Sequence, residues 1–157
     1  MLRGIFILGL SGPCAVAASG QAWQVFDMAG SGLPVTDVAI QADGVVWAAT
    51  DWGLWRWESG EYEVFQQANS GLPDNYLRAL LIDSQGRLWV GTSLSGAAMY
   101  DGQDWEVFST FNSPMPDDQV NTIHEDSNGW LWFVLPASLE PNGGYITVRP
   151  AATMAES

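Results

Sequence analysis

The chain has 157 residues, of which 47% are apolar and 15% are charged, and eighteen acidic residues against five basic ones give a formal net charge of −13. This acidity argues against nucleic acid or an anionic membrane as a partner, and the apolar content argues against a disordered acidic tail. With one Cys and one His the chain can form neither an internal disulfide nor the common zinc sites, and we predict no metal and no cofactor.

Residues 1–18 are typical of a secretory signal peptide. A single Arg precedes an apolar run at 4–10, and small residues at 15–18 offer cleavage positions. Two alternatives are a lipidated Cys14, which the preceding Pro13 disfavours, and a buried first strand of the fold. We therefore expect a periplasmic or secreted protein that has no membrane contact once the leader is removed.

Three sequence markers recur in one order after the leader, at spacings of 39 to 43 residues. They are an aromatic-x-Val-Phe segment, a Ser-Gly-Leu-Pro segment and a Trp-centred apolar run. Their landmark residues are Phe26, Phe65 and Phe108, then Ser31, Ser70 and Ser113, then Trp47, Trp89 and Trp132. Such a period indicates a repeat architecture. We predict repeats, each expected to form one blade, at about 23–61, 62–104 and 105–148 within a region spanning 19–149, and a short tail at 150–157.

The sequence pattern of each repeat predicts four short strands, which we designate A to D. The A strands are expected at 38–42, 77–83 and 120–126, each ending at a turn with Asp and Gly. The Trp-centred run is strand B, 53–57 and 97–100 are C strands, and the aromatic-x-Val-Phe segment is strand D. Four strands in roughly 40 residues match one propeller blade. The predicted fold is all-β: a partial β-propeller of about three four-stranded antiparallel blades, with the periodic Trp residues packed in or between them.

The second repeat carries three motifs in succession. They are Asn-Ser-Gly-Leu-Pro-Asp-Asn at 69–75, Asp-x-x-Gly-x-Leu-Trp-Val-Gly-Thr at 83–92 and Tyr-Asp-Gly-x-x-Trp at 100–105. In this order they resemble the two-component regulator propeller repeat. The resemblance covers 23–132 well and 133–148 poorly.

That resemblance implies a β-propeller, which in bacteria often forms the periplasmic sensor part of a hybrid histidine kinase. Related sensors recognise oligosaccharides. We therefore expect an exported, ligand-binding or sensor-like module without its own catalytic or kinase domain. Its expected partner is an oligosaccharide or another small ligand.

Propellers commonly bind ligands on the face that bears the loops between strands D and A and between strands B and C. The residues expected to gather there are Asp51, Trp52, Asn69, Asp74, Asn75, Asp117 and Asp118. An exposed Trp beside carboxylates and amides suits a sugar. The alternative is that these Asn and Asp residues only form turns, and for Asn69 and Asp74 the turn role is favoured over a ligand role. Trp52 is the strongest candidate, because it lies in a loop and is not one of the periodic Trp residues, and the alternative for Trp52 is a packing role.

Three blades do not close a propeller, since closed rings have about 4–8 blades. The chain is expected to be a fragment of a longer propeller, or to form a homo-oligomer in which each copy donates strand 23–26 to the other's third blade. A scaffold or interaction module is thus the alternative to ligand binding. A propeller enzyme ranks below both, because no nucleophile-elbow, zinc-protease or phosphate-loop motif occurs and His124 stands alone among acids.

Overall fold

The computed structural model of the protein describes residues 16–18, 21–23, 34–136 and 145–148. The chain divides into two compact units, residues 1–33 and 34–157. In the first unit, β1 (Val16–Ala18) pairs antiparallel with β2 (Gln21–Trp23). The rest of the predicted leader and of the predicted strand 23–26 lies outside the described residues, so both stay predictions. No helix in the described part is long and apolar enough to span a membrane.

The described residues of the second unit form three antiparallel sheets in which each strand pairs with the next along the chain. Sheet 1 comprises β3 (Val35–Ile40), β4 (Val46–Thr50), β5 (Gly53–Glu58) and β6 (Glu61–Phe65). Sheet 2 comprises β7 (Leu77–Ile82), β8 (Leu88–Thr92), β9 (Ala97–Tyr100) and β10 (Trp105–Phe108). Sheet 3 comprises β11 (Thr122–Glu125), β12 (Leu131–Val134) and β13 (Tyr145–Val148). The all-β partial propeller is thereby confirmed, with three described strands in its third sheet.

The sheets are offset from the sequence repeats. Strand β6 begins the second repeat but completes sheet 1, and β10 begins the third repeat but completes sheet 2. The predicted limits at 61/62 and 104/105 therefore fall inside sheets, because a tight hairpin turn places each D strand beside the C strand before it. The first A strand also lies earlier than the predicted 38–42. It ends at Ile40, because the amide of Gln41 already donates to the carbonyl of Val45 at 2.8 Å and closes the turn.

Two apolar layers hold the three sheets together. Between sheets 1 and 2, Trp47, Ala49 and Leu54 pack with Leu80, Leu88 and Val90. Between sheets 2 and 3, Trp89 packs with Ile123, Leu131 and Phe133. Because both faces of sheet 2 are covered, β8 is buried along its whole length.

The periodic Trp residues do not all share one environment. Trp47 and Trp89 are 2% and 1% exposed, but Trp132 at the same position of sheet 3 is 36% exposed. Within one copy of the chain, the prediction that every periodic Trp is a packing residue therefore does not hold for Trp132. Sheet 2 covers Trp47 and sheet 3 covers Trp89, whereas none of the described sheets covers the face that bears Trp132. Trp105 stacks on Tyr100, which agrees with its predicted packing role.

Candidate functional site

The loops that connect strands D to A and strands B to C lie together and form a face, which we call the loop face. It comprises the D–A loops at 66–76 and 109–121 and the B–C loops at 51–52 and 93–96. Backbone hydrogen bonds join these loops. The amide of Gly53 donates to the carbonyl of Asn75 at 2.8 Å, and the amide of Gly96 donates to the carbonyl of Asp118 at 2.7 Å. The seven sequence-predicted site residues all lie in this set of loops.

Asn75 and Asp118 occupy equivalent positions and hold their D–A loops closed. The Oδ1 atom of Asn75 accepts from the amide of Gln67 at 2.8 Å. The Oδ1 atom of Asp118 accepts from the amide of Thr110 at 2.7 Å, and its Oδ2 atom accepts from the Thr110 hydroxyl at 3.0 Å. These side chains therefore order the loop backbone.

Asn69 has a similar structural role at the start of its loop. Its Oδ1 atom accepts from the amide of Gln66 at 2.7 Å, and its Nδ2 atom donates to the carbonyl of Val64 at 2.9 Å. Asn112 makes the same pair of bonds 43 residues later. Both ends of the Asn69 amide are thus engaged with its own chain, as the turn interpretation requires.

The aspartates Asp74 and Asp117 form Asx turns. Their Oδ1 atoms accept from the amides of Tyr76 at 3.0 Å and Gln119 at 2.8 Å, respectively. The Oδ2 atom of Asp74 is buried and has no hydrogen-bond partner. Five predicted site residues therefore use their side chains to hydrogen-bond loop backbone: Asn69, Asn75, Asp118, Asp74 and Asp117.

Replacing Asn69 with Ala tests this structural role. We expect Asn69→Ala to lower the free energy of unfolding by about 1 kcal/mol, because two backbone groups lose their partners at an exposed loop. Urea titration measures the change, and Gln85→Ala in an exposed turn is the control. A stability equal to that of the wild type would show that the Asn69 bonds do not hold the loop.

Trp52 differs from these residues because its ring is free of the loop scaffold. It is 52% exposed at the tip of the β4–β5 hairpin, next to the exposed Asp51. The hairpin itself is anchored: the Trp52 amide donates to the Thr50 hydroxyl at 3.0 Å, and its carbonyl accepts from the Gln66 side chain at 2.9 Å. An exposed ring is therefore presented on an ordered backbone.

Three further apolar residues are exposed on the loop face, and the sequence reasoning missed them. They are Tyr76, Leu94 and Phe111. Leu94 lies in the β8–β9 hairpin, as Trp52 lies in the β4–β5 hairpin. The signal that could have found all three is a large apolar side chain within a predicted loop, away from the periodic markers.

The charge of the loop face is mainly negative. Asp51, Asp74, Asp117 and Asp118 contribute carboxylates, and Arg78 is engaged by the Ser93 hydroxyl at 2.8 Å. This potential favours neutral or cationic ligands over anions. Within the described residues, no group of three or more His, Cys, Asp or Glu side chains could hold a metal ion.

Comparison with known families identifies the repeats. The two-component regulator propeller family matches residues 71–93 and 114–134, which run from each described D–A loop into the following B strand. The chain carries two-component regulator propeller repeats. The two matched repeat segments include Trp89 and Trp132 as well as the Asx turns of Asp74 and Asp117. No curated protein matches the sequence.

Solved propeller structures share the fold. The extracellular domain of a hybrid two-component system from B. thetaiotaomicron is 21% identical with a TM-score of 0.64, over 81% of this chain and 19% of that one. The extracellular domain of a one-component system from the same organism is 19% identical with a TM-score of 0.61, over 84% and 20%. The chain thus spans about a fifth of these domains.

An enzyme also shares the fold. A catalytically inactive virginiamycin B lyase variant from Staphylococcus aureus, in a structure with quinupristin, is 16% identical with a TM-score of 0.58, over 86% of this chain and 47% of the lyase. At these identities the three similarities establish the propeller fold alone.

Proposed function

We propose that the chain is an exported, sensor-like propeller module whose loop face binds a neutral oligosaccharide. The observation that carries this proposal is the half-exposed ring of Trp52 on an anchored hairpin. Two of the similar structures are extracellular domains of signalling systems, which supports a position outside the cytoplasm and a sensory role.

The chemistry of the loop face supports a sugar as the ligand. The face of an indole ring packs against the C–H groups of a pyranose, and nearby carboxylates accept hydrogen bonds from its hydroxyls. Asp51 supplies such a carboxylate beside Trp52. Because the hairpin is held from both sides, little conformational entropy is lost when a ligand binds. The negative charge of this face argues for a neutral sugar rather than an acidic one.

Catalysis is not part of this proposal, although a lyase has a similar fold. General acid–base chemistry needs side chains placed to transfer protons to a substrate. In five of the predicted site residues, side-chain oxygens instead accept hydrogen bonds from backbone amides of the loops. His124 lies on β11, outside the loop face.

Trp52→Ala tests the proposal. We expect binding to a neutral oligosaccharide selected on a glycan array to weaken by at least roughly tenfold, because a central aromatic platform is removed. The free energy of unfolding should change by no more than about 0.5 kcal/mol, since the ring is exposed. Isothermal titration measures affinity and urea titration measures stability.

The control is Gln103→Ala, which shortens an exposed side chain in the β9–β10 turn, outside the loop face. It should leave the affinity within roughly twofold of the wild type. Equal affinity for wild type and Trp52→Ala would contradict the role of Trp52. A wild-type protein that binds no glycan on the array would overturn the proposed ligand class.

A further inference from the structure

The three sheets use one mode of packing, in which the B-strand Trp of one sheet is covered by the next sheet. Trp47 of sheet 1 lies against sheet 2, and Trp89 of sheet 2 lies against Phe133 of sheet 3 with ring centroids 5.8 Å apart. Trp132 is the corresponding residue of sheet 3, and more than a third of it is exposed. Sheet 3 therefore presents the Trp-bearing half of this interface to solvent.

The exposed Trp132 is held as its buried counterpart is held. Its Nε1 atom donates to Oδ2 of Asp126 at 3.1 Å, just as Nε1 of Trp89 donates to Oδ2 of Asp83 at 2.9 Å. The indole of Trp132 is thus already tethered to the turn before its strand. Such preorganisation lowers the entropic cost of covering the ring.

Sheet 1 presents the other half of the same interface on the face turned away from sheet 2. Val38 and Ile40 are each about half exposed there. Val38 pairs with Ala48 as Leu80 of sheet 2 pairs with Val90, so Val38 and Leu80 are equivalent. Leu80, however, is buried against sheet 1.

We propose that the Trp132 face of sheet 3 packs against the Val38 and Ile40 face of sheet 1 in a second copy of this chain. The interaction continues the mode of packing that joins sheets 1, 2 and 3 within one copy. The two faces differ, so the contact is heterologous. Two such contacts give a closed ring of six sheets if the rotation closes, and a longer assembly if it does not. This inference is independent of the proposed oligosaccharide site, which lies on the loop face.

The pairing predicts that a charge on either face breaks the assembly. Trp132→Glu and Val38→Glu each bury a carboxylate in the contact between the two sheets, which is strongly unfavourable. We expect wild type to associate, and each variant to be monomeric at the same micromolar concentration, with a dissociation constant raised by at least roughly tenfold. Sedimentation-velocity centrifugation measures the mass, and near-UV circular dichroism checks that each variant is folded. Leu94→Glu places the same charge on the loop face and should associate like the wild type.

Mixing the two variants distinguishes a heterologous contact from a symmetric one. Trp132→Glu retains an intact sheet 1 face and Val38→Glu retains an intact sheet 3 face, so an equimolar mixture should form a heterodimer through one contact. A monomeric wild type at high micromolar concentration would overturn the proposal. So would association of folded Val38→Glu on its own, because it would show that the sheet 1 face is not used.

Discussion

Gly96→Ala is expected to lower the free energy of unfolding by about 4 kcal/mol. Gly96 has φ of +79°, a left-handed conformation that costs a residue with a Cβ about 1–2 kcal/mol. A Cβ at this position would also collide with the backbone carbonyl oxygen of Phe108. That oxygen cannot easily move, because Phe108 pairs with Ala97 in sheet 2 and the Gly96 amide is itself bonded to Asp118.

Gly102→Ala is the matched control for this prediction. Gly102 also has a positive φ, at +106°, but a Cβ there would meet no atom within 4 Å. Its substitution should therefore cost only the backbone strain of about 1–2 kcal/mol. Urea titration at neutral pH measures both variants. Equal losses in the two variants would show that the contact with Phe108 does not contribute.

Asp83→Ala is expected to cost about 3 kcal/mol, because it leaves a largely buried cation without its counter-charge. Asp83 is buried, and its Oδ2 atom accepts from Nε of Arg87 at 2.7 Å and from Nε1 of Trp89 at 2.9 Å. Asp126→Ala is the control at the equivalent turn of sheet 3. Its loss should be clearly smaller, because Asp126 is only partly buried and its partner Trp132 is exposed. Thermal and urea unfolding measure both losses, and equal losses would contradict the argument.

The contribution of Asp83 should also depend on pH. Burial by itself raises the pKa of Asp83, but hydrogen bonds from Trp89 and Arg87 and the charge of Arg87 outweigh it and hold the pKa below its usual value. The unfolded chain therefore binds the proton more tightly than the folded one. The stabilisation is present above the ordinary Asp pKa of about 4 and is lost as the pH falls through the lowered value.

Comparison of wild type with Asp83→Asn over a pH series tests this linkage. The difference in unfolding free energy should be largest near neutral pH and should shrink as the pH falls below about 4. A difference that stays constant across that range would show that the Asp83 carboxylate charge does not stabilise the fold.

Strand positions were largely predictable because they follow from local patterns. The C strand Ala97–Tyr100 and the D strand Trp105–Phe108 lie where the sequence placed them. The first A strand was placed too late. Its opening residues Val35 and Thr36 follow Pro34 directly and lie before the predicted strand, although Val35 pairs with Thr50.

The candidate site was predictable only in part. The sequence placed Trp52 in an exposed loop, and the structure shows half of that residue accessible. It favoured a turn role for Asn69 but did not decide whether Asn75 forms a turn or faces a ligand, because both roles favour the same residue types. The hydrogen bonds to the amides of Gln66 and Gln67 favour the turn role.

The sequence by itself determined the order of strands, their turns and the period of the repeats, because these depend on residues within a few positions of one another. The tertiary structure decided which of the repeated residues are buried and which loops meet. Trp89 and Trp132 have the same local sequence position, yet one is covered by sheet 3 and the other is exposed. Contacts between sheets, such as that of the Asp37 carboxylate with the Leu80 amide at 2.7 Å, join residues 43 positions apart. Burial and loop geometry depend on such distant pairs, which periodicity alone does not specify.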